Sequence, residues 1–442
     1  MGNRQPICEG EKGMLIVAIL LLVMGGWFAC WHYSINVDPV VEIPTPTMPS
    51  PNAKDYYLQA YELKVDYLEP FTTAKVRIEH YYPCLRIDTP TAWPDEKKPS
   101  LQEMQALMKE NAPVFAMTKK GFRYQYHAVP IRSFDQPSPQ NYRLRKLAQL
   151  MVVAGIVKCA GDDYDAGAEC FLDAMRMSVD LAHGASFWKN WNVIACQQES
   201  YAELWPIIHR ISGEEAHRGT RRMEEIISRQ VSCAEMLREE KWAKQASLVH
   251  WFKQPGWRRF YFTNNAESCD ISGMDRLGLL CCNKRTLMRE YTDYMDALIT
   301  YAEQPYSAQK PPAPLRGSID HYLTNYYDGQ FFIFIANETQ HNLLLITFAL
   351  RAYHADHGAF PANMKALIPA YLKKMPPDPF AAEQKLKYQH SEKSYLLYSV
   401  GPDGNDDGGV PSMDGQHAVA GKPSAQLSST STGDIVAGIN VR

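Results

Sequence analysis

The sequence predicts a mainly α protein that ends in a small α+β domain and begins with a single membrane-spanning helix. Three observations predict it. Residues Gly13 to Val37 contain no Lys, Arg, Asp or Glu. Between Asn52 and Glu303 apolar residues recur largely at helical spacing, and beyond Tyr353 the chain changes to short strand and turn signals rich in Gly, Pro and Asp.

The chain has 442 residues, enough for two or three domains, and its 45% hydrophobic and 21% charged residues are those of a protein with a real core. A net charge of −3 gives no electrostatic case for nucleic acid. Arg218, Arg221 and Arg222 share their stretch with Glu214, Glu215, Glu224 and Glu225, a mixture that reads as a solvated helix face.

Taken in order, residues 1–13 form a cytoplasmic N-terminus and residues 14–32 the transmembrane anchor. Met14 to Trp31 is an apolar run close to the roughly 20 residues that span a bilayer. Trp27 and Trp31 fall near one interface, where indole rings settle. Arg4 and Lys12 precede the run while Asp38 and Glu42 follow it, so the N-terminus is expected inside. The bulk is then extracytoplasmic, on the periplasmic side of an inner membrane. Trp27 stands at −3 to Ala29 and disfavours signal cleavage there, and Trp27-Phe28-Ala29 makes a poor lipoprotein signal before Cys30. Residues 33–51 hold five prolines, at 39, 44, 46, 49 and 51, and read as an extended spacer that holds the next domain off the membrane.

Residues 52–303 read as a helical domain. Ser100-Leu-Gln-Glu103 and Ser212-Gly-Glu-Glu215 are capping-box signals that open helices. Tyr56, Leu58, Ala60, Tyr61 and Leu63 form an early amphipathic stretch, and Phe122 to Val129 alternates enough for a short strand or extended loop. In Leu147 to Leu181, two helical faces flank a turn at Gly161-Asp162-Asp163. That pattern resembles one tetratricopeptide hairpin, with no second copy at a 34-residue offset. Residues 304–317 are a Pro-rich boundary. In 318–442 a long helical segment, Ile319 to Ala355, leads into the C-terminal head; its Phe331-Phe332-Phe334 cluster reads as core.

Gly358 and Pro361 end that helix, and a second short helix is expected over Met364 to Lys374 before Pro376-Pro377-Asp378-Pro379. Tyr395 to Val400 is a strand by composition. It runs into Asp403-Gly404-Asn405-Asp406-Asp407-Gly408. With Asp403 as position 1, Asn405 is 3, Asp407 is 5, Gly408 is 6 and Asp414 is 12, the spacing of a calcium loop with Asp at its last position. Alternate residues of such a loop can turn hard oxygens inward, which suits the six to eight ligands of Ca²⁺. An EF-hand needs a helix on each side, and here a strand precedes the loop.

The order helix, His357-Gly358, Phe360-Pro361, Tyr371-Leu372, Asp378-Pro379-Phe380, then Leu397-Tyr398-Ser399, Gly401, Asp403-Gly404 resembles the globular head of type II secretion major pseudopilins. The resemblance covers about the last hundred residues. It implies a pseudopilin-like α+β head with a closing strand at Gly433 to Val436. It also implies a structural Ca²⁺ in the loop after the Leu397-Tyr398-Ser399 strand. Spacing and resemblance together assign that ion to Asp403, Asn405, Asp406, Asp407 and Asp414. The N-terminus departs from the family: Ala18 stands where those proteins carry Glu, and some 300 residues separate the anchor from the head.

Eight of the ten cysteines lie beyond the anchor, an even number compatible with disulfides in an exported chain, and Cys269 with Cys281 or Cys282 is the expected pair. No C-x-x-C, H-E-x-x-H, G-x-S-x-G or P-loop occurs. His354, Asp356 and His357 flank the start of the head and read as helix-end groups rather than metal ligands. The paired glutamates read as exposed, the wrong setting for raised pKa values. The expected role is a membrane-anchored scaffold or binding protein with a protein partner, with a pseudopilin-related secretion component as alternative. A third possibility is a cell-envelope hydrolase with its site in the helical domain.

Overall fold

The computed structural model describes residues 9–64, 100–132, 141–187, 191–254, 283–306, 328–391, 394–412 and 427–438. Eleven helices are described there: α1 (Glu9–Asn36), α2 (Ala53–Glu62), α3 (Leu101–Glu110), α4 (Ala112–Gly121), α5 (Asn141–Ala160), α6 (Tyr164–Ala182), α7 (Trp191–Leu204), α8 (Gly213–Ser228), α9 (Cys233–Phe252), α10 (Lys284–Ala302) and α11 (Asp328–His357). Strands β1 (Lys387–His390), β2 (Tyr395–Ser399) and β3 (Ile435–Val436) follow. The protein is thus mainly α with a small C-terminal sheet.

α1 is a 28-residue helix with no basic residue in its last turn, and its segment Ile16–Asn36 is long and apolar enough to cross a membrane. Its side chains are exposed from Ile16 to Val23, which suits a lipid environment and no protein neighbour. The spacer that follows departs from expectation. Residues 37–51 lie against the helical body instead of standing free of it. Asp38 pairs with Lys284 at 2.7 Å, the Pro44 carbonyl accepts from Arg132 Nε at 2.7 Å, and Val41 packs on the core around α9 and α10. Proline fixes each φ but leaves such docking open, and the partners lie too far along the chain to be read locally.

α5 and α6 form the expected helical hairpin, turning at Gly161-Asp162-Asp163, with Asp162 at φ 61° and the Asp163 side chain capping α6 through Ala166 N at 3.2 Å. Two glycines let the pair approach closely. A Cβ on Gly167 would stand 2.3 Å from Cys159 Sγ, and one on Gly155 would stand 2.5 Å from the Phe171 ring. α2 and α4 pack beside this hairpin, and α7 and α8 close its other side. Residues 122–124 complete a turn and 125–132 follow as a loop that joins no described sheet; the Ala53 amide bonds Gln125 O and the Asn52 side chain holds His127 O at 2.9 Å.

One buried cluster runs from Tyr57 through Leu150, Phe171 and Phe348 to Leu397 and Ile435, so the helical body and the sheet share a core. α11 is the shared element, packing on α8 and α7 and touching β2. Phe331 and Phe332 are core residues, as expected. Midway along α11, Asn337, Thr339, Gln340, His341 and Asn342 are buried too. Asn337 Nδ2 donates to Gln197 Oε1 at 2.6 Å, Asn342 Nδ2 to Pro377 O at 3.0 Å, and Gln230 bonds His341 Nδ1.

The expected helix over Met364 to Lys374 shrinks to one 3₁₀ turn, Met364–Leu367. Pro369 is the reason, since it removes a donor and clashes with the preceding turn. The sheet has order β1-β2-β3 with both pairings antiparallel; Lys387 faces Tyr398, and Tyr398 faces Val436. Asp378 stitches the Pro-rich turn to β2. Buried, it accepts from Ser399 Oγ at 2.7 Å, Phe380 N at 3.0 Å and Val400 N at 3.1 Å. Gly401 ends β2 at φ 73°, where a Cβ would meet Gly433 O at 2.3 Å. The expected closing strand is β3.

Candidate functional site

Four of the five residues expected to hold Ca²⁺ are described, and all four are exposed; Asp414 lies outside the described residues. Asp403 Oδ1 accepts from Asn405 N at 3.1 Å, and Asp406 Oδ1 from Gly408 N at 3.1 Å and from Tyr398 Oη at 2.9 Å. The two bonds from backbone amides close tight turns. A base sits beside one of the carboxylates: Lys387 Nζ lies 3.4 Å from Asp406 Oδ2. Asp406 is held below its usual pKa by the Tyr398 hydroxyl first and the Gly408 amide next.

The residue at the centre of the loop is Asp434, which sequence reading set outside it. Asp434 is fully buried and accepts from Gly409 N at 2.6 Å and Asp407 N at 3.4 Å. Its pKa is raised by burial, and Asp406 and Asp407 push the same way. It stands twenty residues beyond Asp414, and a spacing argument confined to the loop could not reach it. Among the described residues, no group of three or more His, Cys, Asp or Glu is placed to hold a metal.

The histidines at the start of the head find protein partners. His217 of α8 bonds Asp356 Oδ2 at 3.0 Å and stacks on Tyr371 at 5.4 Å, while Tyr371 Oη donates to the same oxygen at 2.7 Å. Asp356 is lowered by Tyr371 first, with His217 adding to it. His357 stacks on Tyr353 at 4.1 Å. These contacts tie the head to α8.

Two readings of α8 need correction. The Ser212 cap forms, with Glu215 N donating to Ser212 Oγ at 3.0 Å, but the reciprocal arm of the box is absent. Asp165 from α6 takes the Ser212 amide instead, at 2.8 Å. Glu215 is therefore turned inward and fully buried, its carboxylate without a hydrogen bond among the described residues and Arg218 Nε 3.2 Å away. Burial raises its pKa to about 7, with Arg218 opposing. Two of the three arginines read as solvated are engaged, Arg222 with Asp173 at 2.5 Å and Arg218 with Glu169, while Arg221 is exposed as expected. Deeper still, Asp180 accepts from Tyr57 Oη at 2.6 Å and from Arg176, a buried group whose charges offset each other.

What the body offers a ligand is a groove of about 580 Å³ between α3, α4, α5 and α6. Met108, Phe115, Met151, Ala154 and Val157 give it an apolar lining, and Lys109, Lys119 and Lys158 stand around it. Lys119 pairs with Asp173 at 3.1 Å and Lys158 with Asp163 at 3.8 Å, while Lys109 is exposed. Burial works against the Lys119 charge, yet Asp173 outweighs it and raises the pKa. The Cys170 thiol in the lining is pushed up to about 11 by burial, so it is a thiol and a poor nucleophile at neutral pH. No histidine is among the described residues of the lining. The sequence signal was the hairpin, which supplies one wall; the other wall comes from α3 and α4, forty residues upstream.

Fold and groove together describe a helical protein with one apolar N-terminal helix and a groove lined by apolar residues, three lysines and two aspartates. No family model, curated protein or solved structure matches the chain. Cys269, Cys281 and Cys282, the expected disulfide, lie outside the described residues; Cys159, Cys170, Cys196 and Cys233 are free thiols.

Proposed function

We propose that the chain is a single-pass membrane protein whose helical body, outside the cytoplasm, binds a protein partner through the groove between α3, α4, α5 and α6. The observation that carries this reading is the groove's chemistry: an apolar lining with Lys109 exposed at its edge, the other two lysines being paired with Asp163 and Asp173, suits a short peptide of apolar residues followed by a carboxylate. A hydrolase is supported less, because no histidine is among the described residues of the groove lining and its thiol is held protonated. A pseudopilin-type filament subunit is supported less too, because the helix leading into the head, α11, is buried against α7 and α8.

Selection of displayed random peptides on the full chain in detergent tests the reading. Enriched peptides should pair apolar side chains with Asp, Glu or a terminal carboxylate, and should lose binding to Phe115→Ala and Lys109→Glu proteins. Peptides that bind both variants as well as the parent would sink it.

A structural Ca²⁺ in the C-terminal loop is a second reading within this proposal. It is supported by Asp406 and Asp407 crowding the buried Asp434, a charge imbalance that a cation relieves.

A further inference from the structure

We infer that the end of the body beside the anchor, built from the last turn of α9 and the first two turns of α10, docks on the anionic head groups of the membrane that holds α1. The inference rests on the proposal that α1 spans a bilayer.

The placement follows from how α1 meets the body. Asn283 Nδ2 donates to Ser34 O at 3.3 Å, Ile35 is buried, and Lys284 bridges Asp38 and the Phe252 carbonyl. α10 therefore begins level with the last turn of α1, and α9 ends beside it. Tyr33, Phe28 and Trp27 on that end of α1 are exposed, the aromatic belt expected where hydrocarbon gives way to head groups. A body fixed there presents its nearest surface to the lipid phosphates.

That surface is cationic. Arg285 and Arg289 are exposed one helical turn apart on α10, and Lys253 is exposed next to Phe252. None of these three side chains has a hydrogen bond or ion pair among the described residues. At about 1.5 Å per residue, Arg289 lies five residues and about 7.5 Å along α10 from its start, inside one screening length of a charged surface. The first turn of α10 contains no acidic residue. Cations at that end of a helix oppose its dipole, and an anionic surface offsets the cost. Glu290 and Asp293 are exposed acidic neighbours on α10 and Asp38 pairs with Lys284; against Lys253, Lys284, Arg285 and Arg289 they leave the described patch positive by one charge. Basic groups held at this depth gain about fivefold each in affinity for anionic lipid, about 1 kcal/mol apiece.

Hydrogen exchange on the full chain in nanodiscs tests this. Discs of phosphatidylcholine alone are compared with discs in which a third of the lipid is phosphatidylglycerol. Co-elution of the chain with both discs comes first; failure to enter either would overturn the anchor reading, and the docking with it. In inserted protein, amides of residues 284–289 should exchange about fivefold or more slowly in the anionic discs. Strong salt should abolish the difference, as should the Lys253→Gln, Arg285→Gln, Arg289→Gln triple variant, whose melting temperature should match the parent. Equal exchange in the two discs would overturn the inference while leaving the anchor intact. So would a difference that survives in the triple variant, which would place the lipid contact elsewhere.

Discussion

Glu215 offers the sharpest test of how the body is held together. Its carboxyl is fully buried and its pKa rises from 4.5 to about 7, because burial outweighs the Arg218 charge. The sign of the linkage follows. Below the unfolded pKa both states carry the proton, and the group costs nothing. As pH climbs through the folded value, the unfolded chain releases its proton more readily than the folded one, and stability falls. The interval from 4.5 to about 7, at 1.36 kcal/mol per unit, sets an upper bound of about 3 kcal/mol on the loss. Glu215→Gln removes the ionisation and keeps the shape. The variant should match the parent below about pH 4 and exceed it near pH 8, by an amount approaching the same bound of about 3 kcal/mol. Urea unfolding of both proteins in one detergent, followed by circular dichroism, reads the difference. A variant less stable than the parent near pH 8 would refute the reasoning, and would show that the Arg218 pairing outweighs the burial of the charge.

Two further predictions follow from close contacts. Gly167→Ala should destabilise by about 1–3 kcal/mol despite its better helix propensity, since the new methyl meets Cys159 Sγ at 2.3 Å. Adding Cys159→Ala should restore part of the loss, with thermal melting as the readout and an unchanged double variant as the disproof. In the head, Ca²⁺ at a hundredfold excess over its dissociation constant should stabilise the full chain by about 2.7 kcal/mol relative to chelator. Asp434→Asn should abolish that gain, because Asp434 holds the loop amides together; identical melting curves for the parent with and without Ca²⁺ would show the loop to be a solvated turn.

What was legible in the sequence was what neighbouring residues decide. Ser100 and Glu103 form both arms of their box, with Glu103 Oε2 accepting the Ser100 amide at 2.7 Å. The α5–α6 hairpin turns where Gly161-Asp162-Asp163 said it would. What escaped was set by distant partners. Asp165 displaces Glu215 from its cap across 47 residues, and Arg132 and Lys284 hold the Pro-rich segment across 88 and 246. Asp434 enters the acidic loop from a strand that sequence spacing treated as separate. The one helix wrongly expected, over Met364 to Lys374, failed on local chemistry that was visible, a proline at 369.

The buried polar run of α11 carries a consequence for how the chain is made. Phe331-Phe332-Ile333-Phe334-Ile335 and Leu343-Leu344-Leu345-Ile346 flank Asn337, Glu338, Gln340, His341 and Asn342 within one 30-residue helix. A uniformly apolar helix of that length would serve the folded core as well, and would spare His341 Nε2 its burial without a partner among the described residues. In a chain threaded through a translocon, however, such a helix would halt as a second membrane segment and leave the head on the wrong side. A carboxylate near the middle of the helix opposes that insertion by about 2.5–3.5 kcal/mol, and the neighbouring amides and imidazole add to it. If the body is exported as proposed, the polar band would keep α11 moving through the pore, and the folded protein would later enclose it.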